Sequence, residues 1–332
     1  MITKRLLINK EFPEADIIKV AAQLILKGEI VAFPTETVYG LGAAALDAPA
    51  VERIFAAKDR PAANPLIIHI GKLEQAFSLV KIWPRTADKL ARDFWPGPLT
   101  LILPAADNVP GVVRGGGSGV GIRMPAHPVA LALINACAPL AAPSANRSGR
   151  PSPVTADEVW EDLNGRIPLL LDAGATPGGI ESTVLDLTTD PPRIIRPGGI
   201  SREQIENCLG IVIPHEGAVS EISALPHYQT SARVLAVTAA ELNELLGHFT
   251  DQKVAIIANN NLNINNNIQP SIIYSLSTAG EFFTLLRQAE KNQVEVLIVV
   301  KDAGLNWNEA LQHRVQAAVR SSAASLKNHK ER

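Results

Sequence analysis

The chain has 332 residues, of which 46% are hydrophobic and 19% charged, and its net charge is −2. That length suggests about two domains, each with its own core, and the composition excludes disorder, collagen and coiled coil for the chain as a whole. The charge balance also argues against a generally basic nucleic-acid coat.

No uninterrupted apolar run approaches the ~20 residues needed to cross a bilayer. The opening stretch MITKRLLINKEFPEAD turns acidic before a signal-peptide core could form. Cys137 and Cys208 are the only cysteines, which leaves no disulfide framework and points to a cytoplasmic setting.

Along residues 1–210, short apolar runs alternate with helix-like stretches. EIVAFP (29–34), PLIIHI (65–70), LTLILP (99–104) and GVGIRM (119–124) read as strands, and 49–58 and 127–136 as helices. Thr155 with Glu158, and Ser201 with Gln204, have capping-box spacing and open further helices. The strand spacing is irregular, so a mixed sheet with helices packed on it fits better than a βαβ repeat. Residues 211–231 lack a clear period, carry two prolines and read as a linker.

From 232 to 332 the rhythm changes. Strand VLAV (234–237), a helix opened by Thr238 and Glu241, strand KVAIIA (253–258), a helix over 278–290, strand VEVLIVV (294–300) and a long helix from about Asn308 follow. That order predicts a small α/β domain with a largely parallel sheet. The run NNNLNINNN (259–267) is low-complexity and reads as spacer.

Several familiar motifs are missing from the sequence. There is no GxxxxGK[ST] loop, no GxSxG elbow, and no CxxC, HExxH or HxxxH, so a zinc site held by the protein is not expected. Charge, however, is unevenly spread. Between Asp107 and Asp157 no acidic residue occurs, yet Arg114, Arg123, Arg147 and Arg150 do, which suggests a local anion site.

Four segments carry the candidate chemistry. FPTETVYGLG (33–42) ends a strand in hydroxyls before two glycines, a plausible binding lip or a plain turn. KDRPAANPLIIHI (58–70) supplies Lys58, Arg60, Asn64 and His69; taken singly, Lys58 and Arg60 are better read as complementing a helix dipole and His69 as a core histidine. APSANRSGRPSP (142–153) supplies Ser144, Asn146, Ser148 and Ser152. GIESTVLDL (179–187) with RIIRPGG (193–199) presents Ser182, Thr183 and Arg196, in what is otherwise a strand pair with a turn.

Taken together, PTETVYGLG, KDRP with NPLIIHI, GIRMP (121–125), PSANRSG, and ESTV with RPG resemble the YrdC-like family, in its longer two-domain form. They are collinear with the family pattern over roughly residues 15–208. The resemblance implies a catalytic domain over 1–210, a twisted mixed α/β (α+β) sheet with helices around a large, positively lined cavity. It implies a linker over 211–231 and a smaller Rossmann-like α/β domain over 232–332.

It implies synthesis of threonylcarbamoyl-adenylate and pyrophosphate from L-threonine, bicarbonate and ATP with Mg²⁺. A downstream transferase would use the product on tRNA. By the same resemblance Thr37, His69, Arg123 and Ser182 hold threonine, and Arg60, Asn64, Ser144, Asn146, Ser152 and Arg196 hold ATP. Lys58 faces the phosphates with Arg60, both acting electrostatically, and no residue acts as a nucleophile.

Tyr228 in PHYQTS is the candidate to reach the nucleotide from the linker, which would act as a gate anchored by the second domain. Where this chain has Ala142, many relatives have a serine. Two other readings stay open: a non-catalytic module binding double-stranded RNA or tRNA, whose binding would weaken steeply with salt, and a carbamoyl-adenylate-forming relative.

Overall fold

The computed structural model describes residues 1–214, 227–258, 270–301 and 307–330, with side chains as far as residue 323. The chain divides into two compact units, one of Met1–Ser148 with Ser152–Ala218, the other of Gly149–Pro151 with Val219–Arg332. The middle of the expected linker and gate (215–226) and the asparagine run (259–267) lie outside the described residues.

The strands of the first unit are β1 Lys4–Leu7, β2 Val31–Phe33, β3 Gly40–Ala44, β4 Ile67–His69, β5 Leu99–Pro104, β6 Gly119–Arg123, β7 Leu140–Ala141, β8 Leu169–Asp172, β9 Thr183–Asp186 and β10 Arg193–Arg196. Among the described residues they form one mixed sheet in the order β1-β8-β2-β3-β7-β4-β6-β5-β9-β10. The four runs read as strands from the sequence are β2, β4, β5 and β6.

Side chains alternate across a strand, and β2 shows what that does here. Ile30 and Ala32 join one buried cluster, with Ile54, Ile68, Leu101 and Ile122. Val31 and Phe33 join another, with Ile25, Leu133 and Leu171. The sheet is therefore covered on both faces, which explains the continuous apolar runs.

Local chemistry sets the helices that frame the site. Asp47 accepts from the Ala50 N–H and opens helix Ala48–Lys58, with proline in its first turn. The helix stops at Asp59, whose φ of 52° is left-handed. Lys58 is thus its last residue, and Arg60 and Asn64 follow in the loop leading to β4. Both expected capping boxes are present, Thr155 with Glu158 on Ala156–Leu163 and Ser201 with Gln204 on Arg202–Leu209.

In the second unit, β11 Arg233–Val237, β12 Val254–Ala258, β13 Ile272–Ser275 and β14 Val296–Val300 pair in the order β11-β14-β12-β13, all parallel. Strands β12 and β14 are buried along their whole length, as parallel strands covered on both faces require. No helix among the described residues is long and apolar enough to cross a membrane.

Candidate active site

Strands β4 and β6 run parallel and end together, with His69 in register with Arg123. Both side chains are buried. The turn after β2 comes to the same place. The Thr35 hydroxyl donates to the Val38 carbonyl at 2.7 Å. Having given its one proton there, it can only accept from the Thr37 hydroxyl, 2.8 Å away. Thr37 Oγ1 in turn accepts from Arg123 Nη2 at 3.0 Å. Arg123 Nε donates to the Gly97 carbonyl at 3.2 Å, and Nη2 lies 2.7 Å from Glu36 Oε1.

His69 is neutral over the ordinary pH range. Burial, and secondly the Arg123 charge, push its pKa down to about 3. Its Nδ1 has no hydrogen-bond partner among the described residues. Ser182, the last residue expected to hold threonine, shares a 2.9 Å hydrogen bond between hydroxyls with Thr100 on β5. Its carbonyl accepts from Arg196 Nη2 at 3.0 Å, and its hydroxyl from the same nitrogen at 3.1 Å.

Two of the residues expected to hold ATP are cations of different character. Lys58 is fully buried, and its ammonium donates to the carbonyls of Ser144 and Asn146 and, at 3.5 Å, to Asn146 Oδ1. Those acceptors match its three N–H groups. Burial holds its pKa well below the usual lysine value, with the Arg60 charge adding to the effect. The ammonium expected to face phosphates is thus engaged by the backbone of the 144–146 loop.

Arg60 differs. Nη2 reaches the Pro65 carbonyl at 3.2 Å, and its buried Nε has no hydrogen-bond partner. Burial and then the Arg196 charge lower its pKa to about 10, so the Arg60 guanidinium stays charged at neutral pH. Two like charges near one another favour an anion between them. Asn64, in the same loop as Arg60, is buried, and the Ser152 hydroxyl donates to Glu181 Oε1 at 2.7 Å.

The acid-free arginine segment does not act as one anion site. Arg114 holds carbonyls of its own turn, Val109 and Gly117. Arg147 pairs with Asp59 at 2.9 Å, and Arg150 with Glu290 at 2.7 Å. Of these four arginines, Arg123 reaches Thr37, a residue expected to hold threonine, and its acid, Glu36, comes from the distant turn after β2. Tyr228, expected at the nucleotide, belongs to the second unit, where its ring packs 4.8 Å from that of Phe283. The side chain of Ala142 is buried among Phe33, Leu140 and other residues of the second apolar cluster.

These features are those of a known family. The Sua5_yciO_yrdC family model, described as "Telomere recombination", matches residues 23–198. A threonylcarbamoyl-AMP synthase of Pyrococcus abyssi is 43% identical over 324 residues, covering 91% of this chain and 93% of the relative. One from Bacillus subtilis is 51% identical over 199 residues, covering 59% and 58%. The crystal structure of P. abyssi Sua5 complexed with L-threonine superposes with a TM-score of 0.87 at 40% identity, covering 96% of this chain and 98% of that one. The chain belongs to the Sua5/YciO/YrdC family.

Two expectations follow from this geometry. At Gly198 a Cβ would overlap the backbone of Glu181, Ser182 and Thr183, which cannot give way as a side chain can. Gly198→Ala should therefore cost about 1–3 kcal/mol in urea unfolding and displace Ser182. The neutral His69 makes stability pH-dependent. Below its unfolded value the unfolded chain binds a proton that the folded chain refuses, until pH falls to about 3. Stability should thus drop from pH 7 to pH 5 by about 2 kcal/mol on account of this group alone. Tryptophan fluorescence, which reports mainly Trp83, Trp95 and Trp160 of the first unit, should show that drop shrinking in His69→Asn.

Proposed function

We infer that this chain is a threonylcarbamoyl-AMP synthase that joins L-threonine, bicarbonate-derived carbon and the adenylyl group of ATP, releasing pyrophosphate. The observation that carries this reading is the hydrogen bond from Arg196 Nη2 to the Ser182 hydroxyl, 3.1 Å. It joins one residue expected to hold nucleotide to one expected to hold the amino acid, so the two subsites adjoin. Adjacency is what the reaction needs. The threonine amine takes up the carbon of bicarbonate to form a carbamate, with loss of water. A carbamate oxygen then attacks the α-phosphorus of ATP, a P–O bond forms, and the bond to pyrophosphate breaks.

The roles follow from the donors. Arg123 suits the threonine carboxylate through its guanidinium fork, with neutral His69, Thr37 and Ser182 around it. Arg60 and Arg196 suit the charge that grows on the phosphoryl oxygens and on pyrophosphate. Lys58 is a positioning residue, holding the loop that carries Ser144 and Asn146. No covalent intermediate is invoked, so rate comes from proximity and electrostatics.

Among the described residues no group of three His, Cys, Asp or Glu could hold a metal, and the cationic pair fits phosphate oxygens. In this reading Mg²⁺ comes with the ATP substrate, shielding its phosphates. The product would pass to a transferase that modifies tRNA. If this chain instead only gripped RNA, binding would need no ATP and would fall steeply with salt.

Incubation with labelled bicarbonate, L-threonine and ATP should give labelled threonylcarbamoyl-AMP and one pyrophosphate per turnover. Threonine-dependent formation of ADP and phosphate would refute adenylyl transfer. In calorimetry, Arg123→Lys keeps the charge facing Glu36 but loses the fork, and should weaken L-threonine about tenfold while leaving ATP unchanged. Arg60→Ala should do the converse, weakening ATP about ten- to hundredfold.

A further inference from the structure

Glu36 has no role in the reading above, yet its placement is unusual. It stands in the turn after β2, between Thr35 and Thr37, and its main-chain carbonyl is fixed by the Gly178 N–H at 2.8 Å. Gly178 leaves no room for a side chain there, since a Cβ would stand 2.6 Å from the Glu36 carbonyl oxygen. The carboxylate points inward. Oε1 lies 2.7 Å from Arg123 Nη2, an ion-pair distance, but among the described residues no hydrogen bond is directed at either carboxylate oxygen, and both are shut off from solvent.

Buried acceptors without donors are rare, because each forfeits the bonds it made to water. Arg123 is complementary in this respect. Its Nε and Nη2 are engaged by Gly97, Thr37 and Glu36, while Nη1 has no hydrogen-bond partner among the described residues. One buried pair thus offers a free donor edge on the cation and free acceptors on the anion.

We propose that Glu36 binds the α-ammonium of the amino-acid substrate, so that Arg123 and Glu36 together recognise the zwitterion. The proposal rests on the functional reading above and deepens it. Arg123 alone would accept any small carboxylate bearing a β-hydroxyl. Adding a zwitterion to an ion pair of opposite sense brings each charge against its counter-charge and leaves the net charge of the buried site unchanged. A carboxylate without an ammonium would add an uncompensated negative charge beside Glu36. Specificity for an α-amino acid then comes from repulsion of its deaminated analogue as much as from attraction. His127 is the other titratable group near Glu36. Burial lowers its pKa, and its Nδ1 accepts from the Val129 N–H at 3.2 Å, so it serves as a helix cap.

The test compares L-threonine with 3-hydroxybutyrate, which keeps the carboxylate and β-hydroxyl but lacks the ammonium. The full chain and Glu36→Gln are titrated with each by calorimetry, with ATP as a control. The wild type should prefer L-threonine by at least tenfold. Glu36→Gln should lose at least tenfold for L-threonine, keep or gain affinity for 3-hydroxybutyrate, and bind ATP within twofold of wild type. A Glu36 that merely props Arg123 would weaken both carboxylates alike, and an unchanged ratio between them overturns the proposal. Should Glu36→Gln fail to fold, equal wild-type affinity for the two ligands overturns it also, and a tenfold preference supports it. Failure of the wild type to bind L-threonine at all would defeat the functional reading instead.

Discussion

A guanidinium buried inside a sheet is the constraint around which the first unit is built. Arg123 is 3% exposed and sits where β4 and β6 end. A charge taken out of water is tolerated only where polar groups replace its hydration. The Gly97 carbonyl, the Thr37 hydroxyl and the Glu36 carboxylate do so. Gly97 lies in the loop before β5 and Glu36 and Thr37 in the turn after β2, so the cation cannot be accommodated until that turn, that loop and the β6 strand have assembled. Burial, and secondly the same charge, keep His69 neutral and available as a hydrogen-bonding group.

Lys58 solves the equivalent problem differently, and the contrast separates framework from ligand site. Its ammonium fills its donors with oxygens of Ser144 and Asn146, and its own carbonyl accepts from the Ser148 N–H at 2.8 Å. The helix end and the 144–148 loop are thereby fastened to each other, with the exposed Asp59 carboxylate bridging Arg147 and Arg166 alongside. The Lys58 ammonium organises a loop in this way, whereas the Arg60 guanidinium lies near a second positive charge, that of Arg196, and keeps a buried Nε with no hydrogen-bond partner among the described residues. Basic residues within a few positions of each other thus serve opposite ends.

The parts legible in the sequence are those whose physics is local. Strands β2, β4, β5 and β6 announce themselves by apolar runs, and the capping boxes at Thr155 and Ser201 by a spacing of three. Strand β3, GLGAA, has no β-branched residue to mark it, and β7 is two residues long. Both are strands because their neighbours make them so. The site divides in the same way. Collinear motifs drew attention to Thr37, His69, Arg123 and Ser182, three of which stand in pairwise contact or register. Charge counting along the chain misjudged Arg147 and Arg150, because an ion pair is made across space, and Arg114, because it is taken up by carbonyls of its own turn. Asp59 lies 88 positions from Arg147, and Glu290 lies 140 from Arg150. Glu36 sits inside the most distinctive motif, but its pairing with Arg123 across space is not legible from the motif for the same reason.

The account stands on Arg123 as the group that receives the amino acid, and a structure of this chain with L-threonine bound tests that directly. The account predicts the threonine carboxylate within hydrogen-bonding distance of the Arg123 guanidinium, with the Thr37, His69 and Ser182 side chains around the ligand. Threonine bound elsewhere, or bound with its carboxylate turned away from Arg123, would contradict it.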